Sequence, residues 1–227
     1  MGILSKFLNQ WRKPTGRLSK VLAWVLNLSH SKGTNWGLGH IAIEKNATIL
    51  DVGCGGGGFV HELAGIVTAG KVYGIDYSMD CAFVSRRVNH QWLKLGRVAI
   101  LNGSVSSLSF PDRTFDLVTA VNSHYYWPDL VRDLQEVSRV LKPGGRLALI
   151  GESYKGGKYD ERDQKFVELV HLAYHTADEL GDLLSRAGYA DIQTFEEYDK
   201  GWICSIGRKP YSGEGEIPCP KARQSQP

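Results

Sequence analysis

The sequence predicts an α/β fold: a doubly wound, mostly parallel seven-stranded sheet with an antiparallel C-terminal hairpin and N-terminal helices. Three features of the 227 residues point to it. Strand-like and helix-like stretches alternate from Ala47 to Ala187, the pattern of strands covered on both faces by crossover helices. A glycine-dense loop, "GCGGGG" at Gly53–Gly58, closes the first strand. Two strand-like runs near the end are separated only by Asp199–Gly201, a spacing that suits a tight turn.

In chain order, Ile3, Leu4, Phe7, Leu8 and Trp11 recur at helical spacing, and Pro14 interrupts them. Leu18, Val21, Leu22, Val25 and Leu26 form a second amphipathic run. His30–Gly39, with three glycines, reads as a loop. Strands follow at Ala47–Gly53, Lys71–Asp76, Arg97–Gly103, Phe115–Asn122 and Gly145–Ser153. Helices are expected over Phe59–Val67, Met79–Leu95, Pro128–Leu141 and Thr176–Ala187. Thr176 with Glu179 three residues on makes a plausible cap for the last of these. "DIQTFEEY" and "WICSIGRK" complete the hairpin. From Tyr211 the chain is polar and aperiodic, so a disordered tail is expected. The organisation expected is a basic helical arm or lid over residues 1–40, one α/β domain over 41–210, and a tail over 211–227.

The net charge of +3 conceals an asymmetry. No acidic residue precedes Glu44, whereas Lys6, Arg12, Lys13, Arg17, Lys20 and Lys32 do, and the rest of the chain is net acidic. Three roles stay open for the arm: a lid, a weak contact of residues 1–30 with an anionic membrane surface, or helices packed on the sheet. Trp36 and His40 would neighbour the site under the lid reading. The small basic patch and acidic body disfavour nucleic acid as a partner. Cys54, Cys81, Cys204 and Cys219 form no metal-ligand spacing. With no secretory pattern visible, an intracellular, cytoplasmic protein with reduced thiols is expected. His171 and His175 lie four apart, but neither an HExxH pattern nor a third ligand accompanies them, so no metal is expected.

In a doubly wound sheet a ligand lies beyond the carboxyl ends of the strands, at the topological switch point. The glycine loop falls there. Gly53, Gly55 and Gly57 would let backbone N–H groups approach that ligand. Asp76 ends the next strand, about 20 residues beyond the loop, where a carboxylate can accept from a ribose diol. These two signals imply a ribose-bearing cofactor and leave NAD, FAD and others open.

Four motifs in order, "LDVGCGGG", "VYGIDYS", "NGSVSSLSFPDRTFDLV" and "VLKPGGRL", narrow the choice. Over Ile49–Ile150 the chain resembles the class I S-adenosylmethionine-dependent methyltransferases, a Rossmann-like fold. The branch it resembles is that of small-molecule, ubiquinone- and menaquinone-biosynthesis-like enzymes. The resemblance implies S-adenosyl-L-methionine as cofactor, with Asp51, Gly53 and Gly55 against its methionine moiety and Asp76 on its ribose. Tyr77 and Met79 would flank the adenine, Gly103, Ser104 and Val105 would form its edge, and Asn122 would sit near the sulfonium. Ser104 stands where many members carry Asp.

Methyl transfer to a small-molecule acceptor is an in-line displacement in which the protein aligns nucleophile and methyl and removes water. "NSHYYWPDL" (Asn122–Leu130) follows the fourth strand, so His124 and Tyr126 are the candidate catalytic side chains. Tyr125 and Trp127 are candidate pocket walls, as are Tyr154, Tyr159 and Tyr174 further on. Cys54 reads as a small loop filler. An NAD-type oxidoreductase and a non-catalytic methyltransferase-like binding protein are the rival readings. The sequence leaves acceptor identity and oligomeric state open.

Overall fold

Adjacent residues of a strand face opposite sides of a sheet, and here both sides are apolar. The computed structural model describes residues 31–170 and 172–211. Within them, Leu50 belongs to one buried cluster with Val118, Leu134, Val137, Leu180 and Leu184. Its neighbour Ile49 belongs to the other, with Val60, Leu63, Val72, Ile100 and Ile150. Two cores, one per face, follow from near-continuous apolar strands.

The elements are α1 (Ser31–Leu38), β1 (Thr48–Val52), α2 (Gly58–Ile66), β2 (Lys71–Asp76), α3 (Met79–Val88), α4 (His90–Lys94), β3 (Val98–Asn102), β4 (Phe115–Val121), α5 (Leu130–Val140), β5 (Leu141–Gly151), α6 (Asp160–Val170), α7 (Ala177–Arg186), β6 (Ala190–Glu197) and β7 (Trp202–Arg208). The seven strands run in the order β3-β2-β1-β4-β5-β7-β6. β1 pairs in parallel with β2 and β4, whereas β7 is antiparallel to both β5 and β6. The strand order reverses between β1 and β4, which places the switch point beside the glycine loop. The predicted α/β class, strand number and antiparallel hairpin are all present.

Three local expectations are corrected. His30–Gly39 is not a loop, because Ser31–Leu38 is helical. A Cβ at Gly33 would lie 2.5 Å from Glu152, and one at Gly37 would lie 2.7 Å from Ile150. The glycines therefore let α1 lie close against the end of β5 and do not mark a break. Met79–Leu95 is two helices, divided at Asn89. Asn89 is fully buried, and its side-chain amide donates to the carbonyls of Gly57 and Ser85. A polar side chain tied to a loop outside the helix shifts the helix axis at that residue. The stretch after β5 holds a helix, α6, that the sequence reading left unassigned.

The cap foreseen at Thr176 is present as a reciprocal capping box with Glu179. Tyr211, at the start of the expected tail, is 53 % exposed, with the Arg208 guanidinium 4.7 Å from its ring centre. The arm over residues 1–30, its membrane contact, His171, Cys219 and the tail beyond Tyr211 lie outside the described residues. No helix among the described residues is long and apolar enough to cross a membrane.

Candidate active site

The glycine loop is folded back onto the end of β2. The N–H groups of Gly53 and Cys54 both donate to the Ile75 carbonyl, and the Gly55 N–H donates to Asp76 Oδ2 at 2.8 Å. Asp76 Oδ1 accepts from the Ser78 N–H at 2.8 Å. Burial raises the Asp76 carboxyl, and these two amide bonds pull it back. Two bonds leave a carboxylate with acceptor capacity to spare, so Asp76 shapes the loop and can still receive a diol.

Asp51, at the end of β1, is 2 % exposed and accepts from Thr119 Oγ1 on β4 at 2.9 Å. Burial pushes its pKa up to about 7, against the opposing bond from Thr119 and with help from the Asp76 charge. A carboxyl raised this far by burial, in a cleft, is a candidate for the functional site.

Beyond the ends of β1, β4 and β5 opens a cleft of about 470 Å³. One side is lined by Asp51, Gly53, Gly55, Gly56 and Gly58. The other is apolar and aromatic, with Phe59 of α2, Tyr125, Tyr126, Phe166 and Val167 of α6, Leu172 and Tyr174. Asn122 also lines the cleft, with φ 50°, a left-handed conformation that Asn tolerates better than most residues. Its Oδ1 accepts from the Glu152 N–H at 2.9 Å. Tyr125 Oη donates to the Ser153 carbonyl at 2.6 Å. Tyr174 Oη donates to the Tyr154 carbonyl at 2.9 Å and lies 3.1 Å from Ser153 Oγ. Ser153 Oγ donates to Asp163 Oδ2 at 2.7 Å, which ties α6 to the end of β5.

Several predicted residues are not where the sequence reading put them. Gly57 is not in the cleft wall. It is buried at φ 81°, and a Cβ there would lie 2.2 Å from Ser85 Oγ and 2.8 Å from Ser85 Cα. Glycine at this position serves the packing of α2 on α3. Gly56 and Gly58, which had no predicted role, line the cleft instead. His124 is 1 % exposed, its ring 4.1 Å from that of Tyr125, and it is not among the cleft-lining residues. Burial, with a smaller effect from His175, drives its pKa down to about 3. It is a neutral side chain behind the wall, not a base in the cleft. Tyr126 does line the cleft.

Trp36 and His40 face away from the site. Trp36 packs edge-on to His40, which stacks on Phe195 of β6 at 4.1 Å. Thr34, half a turn from Trp36, is the α1 residue that lines the cleft. Tyr77 and Met79, next to Asp76 in sequence, are exposed. Ser104 is exposed, while the Val105 side chain is in the core, so anything Val105 offers a ligand comes from its backbone. Gly103 packs over Ile75, where a Cβ would lie 2.8 Å from Cδ1. Cys54 packs on Gly74, whose Cβ would lie 3.0 Å from Sγ, in keeping with a filler. Trp127 and Tyr154 are core residues, and Tyr159 carries the Arg162 guanidinium 4.5 Å from its ring centre.

The sequence reading missed Glu62, Glu152, Ser153, Arg162, Asp163, Phe166 and Leu172, all in the cleft wall. The three-residue spacing of Phe59 and Glu62 on a helix that opens at the glycine loop was the available signal for Glu62. Nothing comparable distinguished Glu152.

The cleft suits a cationic nucleoside cofactor. It offers glycine backbone that can be approached closely and a buried carboxylate at Asp51, while Asp76, expected on the ribose, is 7 % exposed, is not among the lining residues and meets the cleft only through its bond to Gly55. Residues 50–149 match the methyltransferase domain family. A demethylmenaquinone methyltransferase from Anoxybacillus flavithermus is 27% identical over 219 residues, covering 86% of this chain and 90% of that protein. One from Listeria welshimeri is 33% identical over 138 residues, covering 60% of this chain and 57% of that protein. Among solved structures, a Haloferax volcanii methyltransferase in complex with the Trm112 methyltransferase activator superposes with a TM-score of 0.74 at 18% identity, covering 85% of this chain and 98% of that one. Family match, fold and relatives support a methyltransferase domain of the class I, S-adenosylmethionine-dependent type over residues 50–149.

Proposed function

We propose that the glycine-lined side of the cleft holds S-adenosylmethionine and that the aromatic side holds a hydroxylated aromatic ring of the demethylmenaquinol type, which is methylated. The observation that carries this is the continuity of the cleft. One hollow joins Asp51, Gly53, Gly55, Gly56 and Gly58 to Phe59, Tyr126, Phe166 and Tyr174. When bound, the cofactor supplies an electrophilic methyl group on a sulfonium. The chain's own residues do the rest. Asp76 receives the ribose hydroxyls, Asp51 sets a negative potential near the sulfonium, and Asn122 fixes the floor between the two ligands. The aromatic walls and α6 exclude water and hold the acceptor ring in line.

The acceptor assignment rests on the apolar wall and on the names of the relatives. The test is methyl-labelled S-adenosylmethionine with demethylmenaquinol in detergent, alongside a panel of simple phenols and amines. Label in the quinol is the expected result. Label in amines alone would overturn the acceptor assignment, and no binding of S-adenosylhomocysteine would overturn the cofactor assignment.

A further inference from the structure

Among the described residues, the cleft wall holds one carboxylate with a buried oxygen to which no protein group donates. Glu62 Oε2 is buried and makes no hydrogen bond. The residue stands on α2, one turn beyond Gly58, and lines the cleft together with Phe59 and Thr34. Every other carboxylate of the cleft wall is engaged. Asp51 accepts from Thr119, Asp163 accepts from Ser153 and pairs with Arg162, and Glu152 makes contacts of its own. A buried anionic oxygen without a donor is costly. Its persistence at a ligand-binding wall implies that a ligand supplies the donor.

The direction of the charge decides which ligand group this is. Glu62 is on α2, which opens at the glycine loop, and the methionine end of the cofactor is assigned to that loop and Asp51. That end carries a carboxylate and an ammonium. The carboxylate would be repelled by Glu62. The ammonium has three donors and needs acceptors. We infer that Glu62 accepts from the α-ammonium of the bound cofactor and so makes this chain select ligands with an intact amino-acid tail. This rests on the reading of the cleft as an S-adenosylmethionine site. Burial holds the Glu62 carboxyl above its ordinary range, and His61 acts in the opposite direction. A bound ammonium would lower it, so ligand binding would release protons near the acidic limb.

The test compares S-adenosylhomocysteine with its des-amino analogue by calorimetry, on the wild-type chain and on Glu62→Gln. Wild type is expected to favour S-adenosylhomocysteine by about tenfold or more, the worth of one charge-assisted bond. Glu62→Gln should shrink that preference to about threefold or less and leave des-amino affinity unchanged. Glu62→Asp, which keeps the charge and shortens the reach, should fall between them. A preference that survives in Glu62→Gln overturns the inference and leaves the cofactor site intact. So does a variant that weakens both ligands equally or that changes only the acceptor KM. If the wild-type chain binds neither ligand, the cofactor reading itself fails. Thermal melts of each variant establish that it is folded.

Discussion

Replacing Gly57 by Ala separates what the glycine loop does for packing from what it does for ligand binding. Gly57 sits at φ 81°, and a Cβ there would meet Ser85 Oγ at 2.2 Å, Asn89 Nδ2 at 2.6 Å and Ser85 Cα at 2.8 Å. The left-handed conformation alone costs an L-residue roughly 1–2 kcal/mol. Overpacking against α3 adds about 1–3 kcal/mol, because one of the clashing atoms is backbone and cannot rotate away. The expected loss is therefore about 2–5 kcal/mol, a large fraction of a domain's stability. The control is Gly55→Ala. Gly55 has φ 50°, and a Cβ there would meet nothing within 4 Å, so only the conformational cost of about 1–2 kcal/mol applies. Yet Gly55 lines the cleft, so its methyl group would stand where a ligand must approach. Urea unfolding and S-adenosylhomocysteine titration should split the two variants. Gly57→Ala should lose stability while keeping affinity at temperatures where it is folded. Gly55→Ala should lose affinity by more than about tenfold with the smaller stability change. Adding Ser85→Ala to Gly57→Ala removes the nearest clashing atom and should recover part of the loss. Equal stability losses in the two glycine variants, or an affinity loss confined to Gly57→Ala, would refute the assignment.

Other expectations follow from the buried titratable groups. Asp51 titrates near 7 in the folded chain but near 3.9 when unfolded. As pH rises from about 4 to about 7 the unfolded state ionises first, so the ligand-free protein should lose up to about 4 kcal/mol of stability across that window. Urea midpoints at the two ends should show this in the wild type, and Asp51→Asn should flatten it. An unchanged pH dependence in Asp51→Asn would place the raised group elsewhere. His124 stays neutral across the working range, so His124→Gln should leave the shape of the pH–rate profile intact, and loss of a limb would return His124 to the chemistry. Asp76→Ala should weaken S-adenosylhomocysteine by roughly 1–3 kcal/mol in calorimetry, and an unchanged dissociation constant would mean that the ribose lies elsewhere.

The architecture was legible because its signals are local. Apolar runs such as "ATILDVG" and "KVYGID" encode strands buried on both faces, and the glycine loop encodes a strand end facing a ligand. What was not legible depends on which way a side chain turns. The alternation Gly53, Gly55, Gly57 invites one role for all three, yet a Cβ at Gly53 would strike Ser123, one at Gly57 would strike Ser85, and one at Gly55 would strike nothing. A glycine read as punctuation can equally be a close helix contact, as Gly33 and Gly37 are. His124 looked like a base because its residue type and position fit one. It is buried beside Tyr125, which turns toward Ser153, and no local pattern reveals that.

The two aspartates at the strand ends do different work, and the bond network says how. Asp76 accepts from Gly55 and Ser78 before any ligand arrives, so it holds the glycine loop in the conformation a nucleoside would meet. Among the described residues Asp51 accepts only from a side chain, Thr119, and burial raises its pKa against that one bond, which leaves its charge short of compensation. A cationic ligand would supply that compensation. Removing Asp76 therefore disturbs both the shape of the loop and the ribose contact, while removing Asp51 disturbs the potential and the buried bond from Thr119. Asp76→Asn separates the two contributions of Asp76. An amide oxygen can keep one backbone bond, but it cannot keep both and still accept two hydroxyls. Affinity should fall in Asp76→Asn almost as far as in Asp76→Ala, whereas stability should fall less. If Asp76→Asn binds S-adenosylhomocysteine like the wild type, the carboxylate serves the loop and not the ligand.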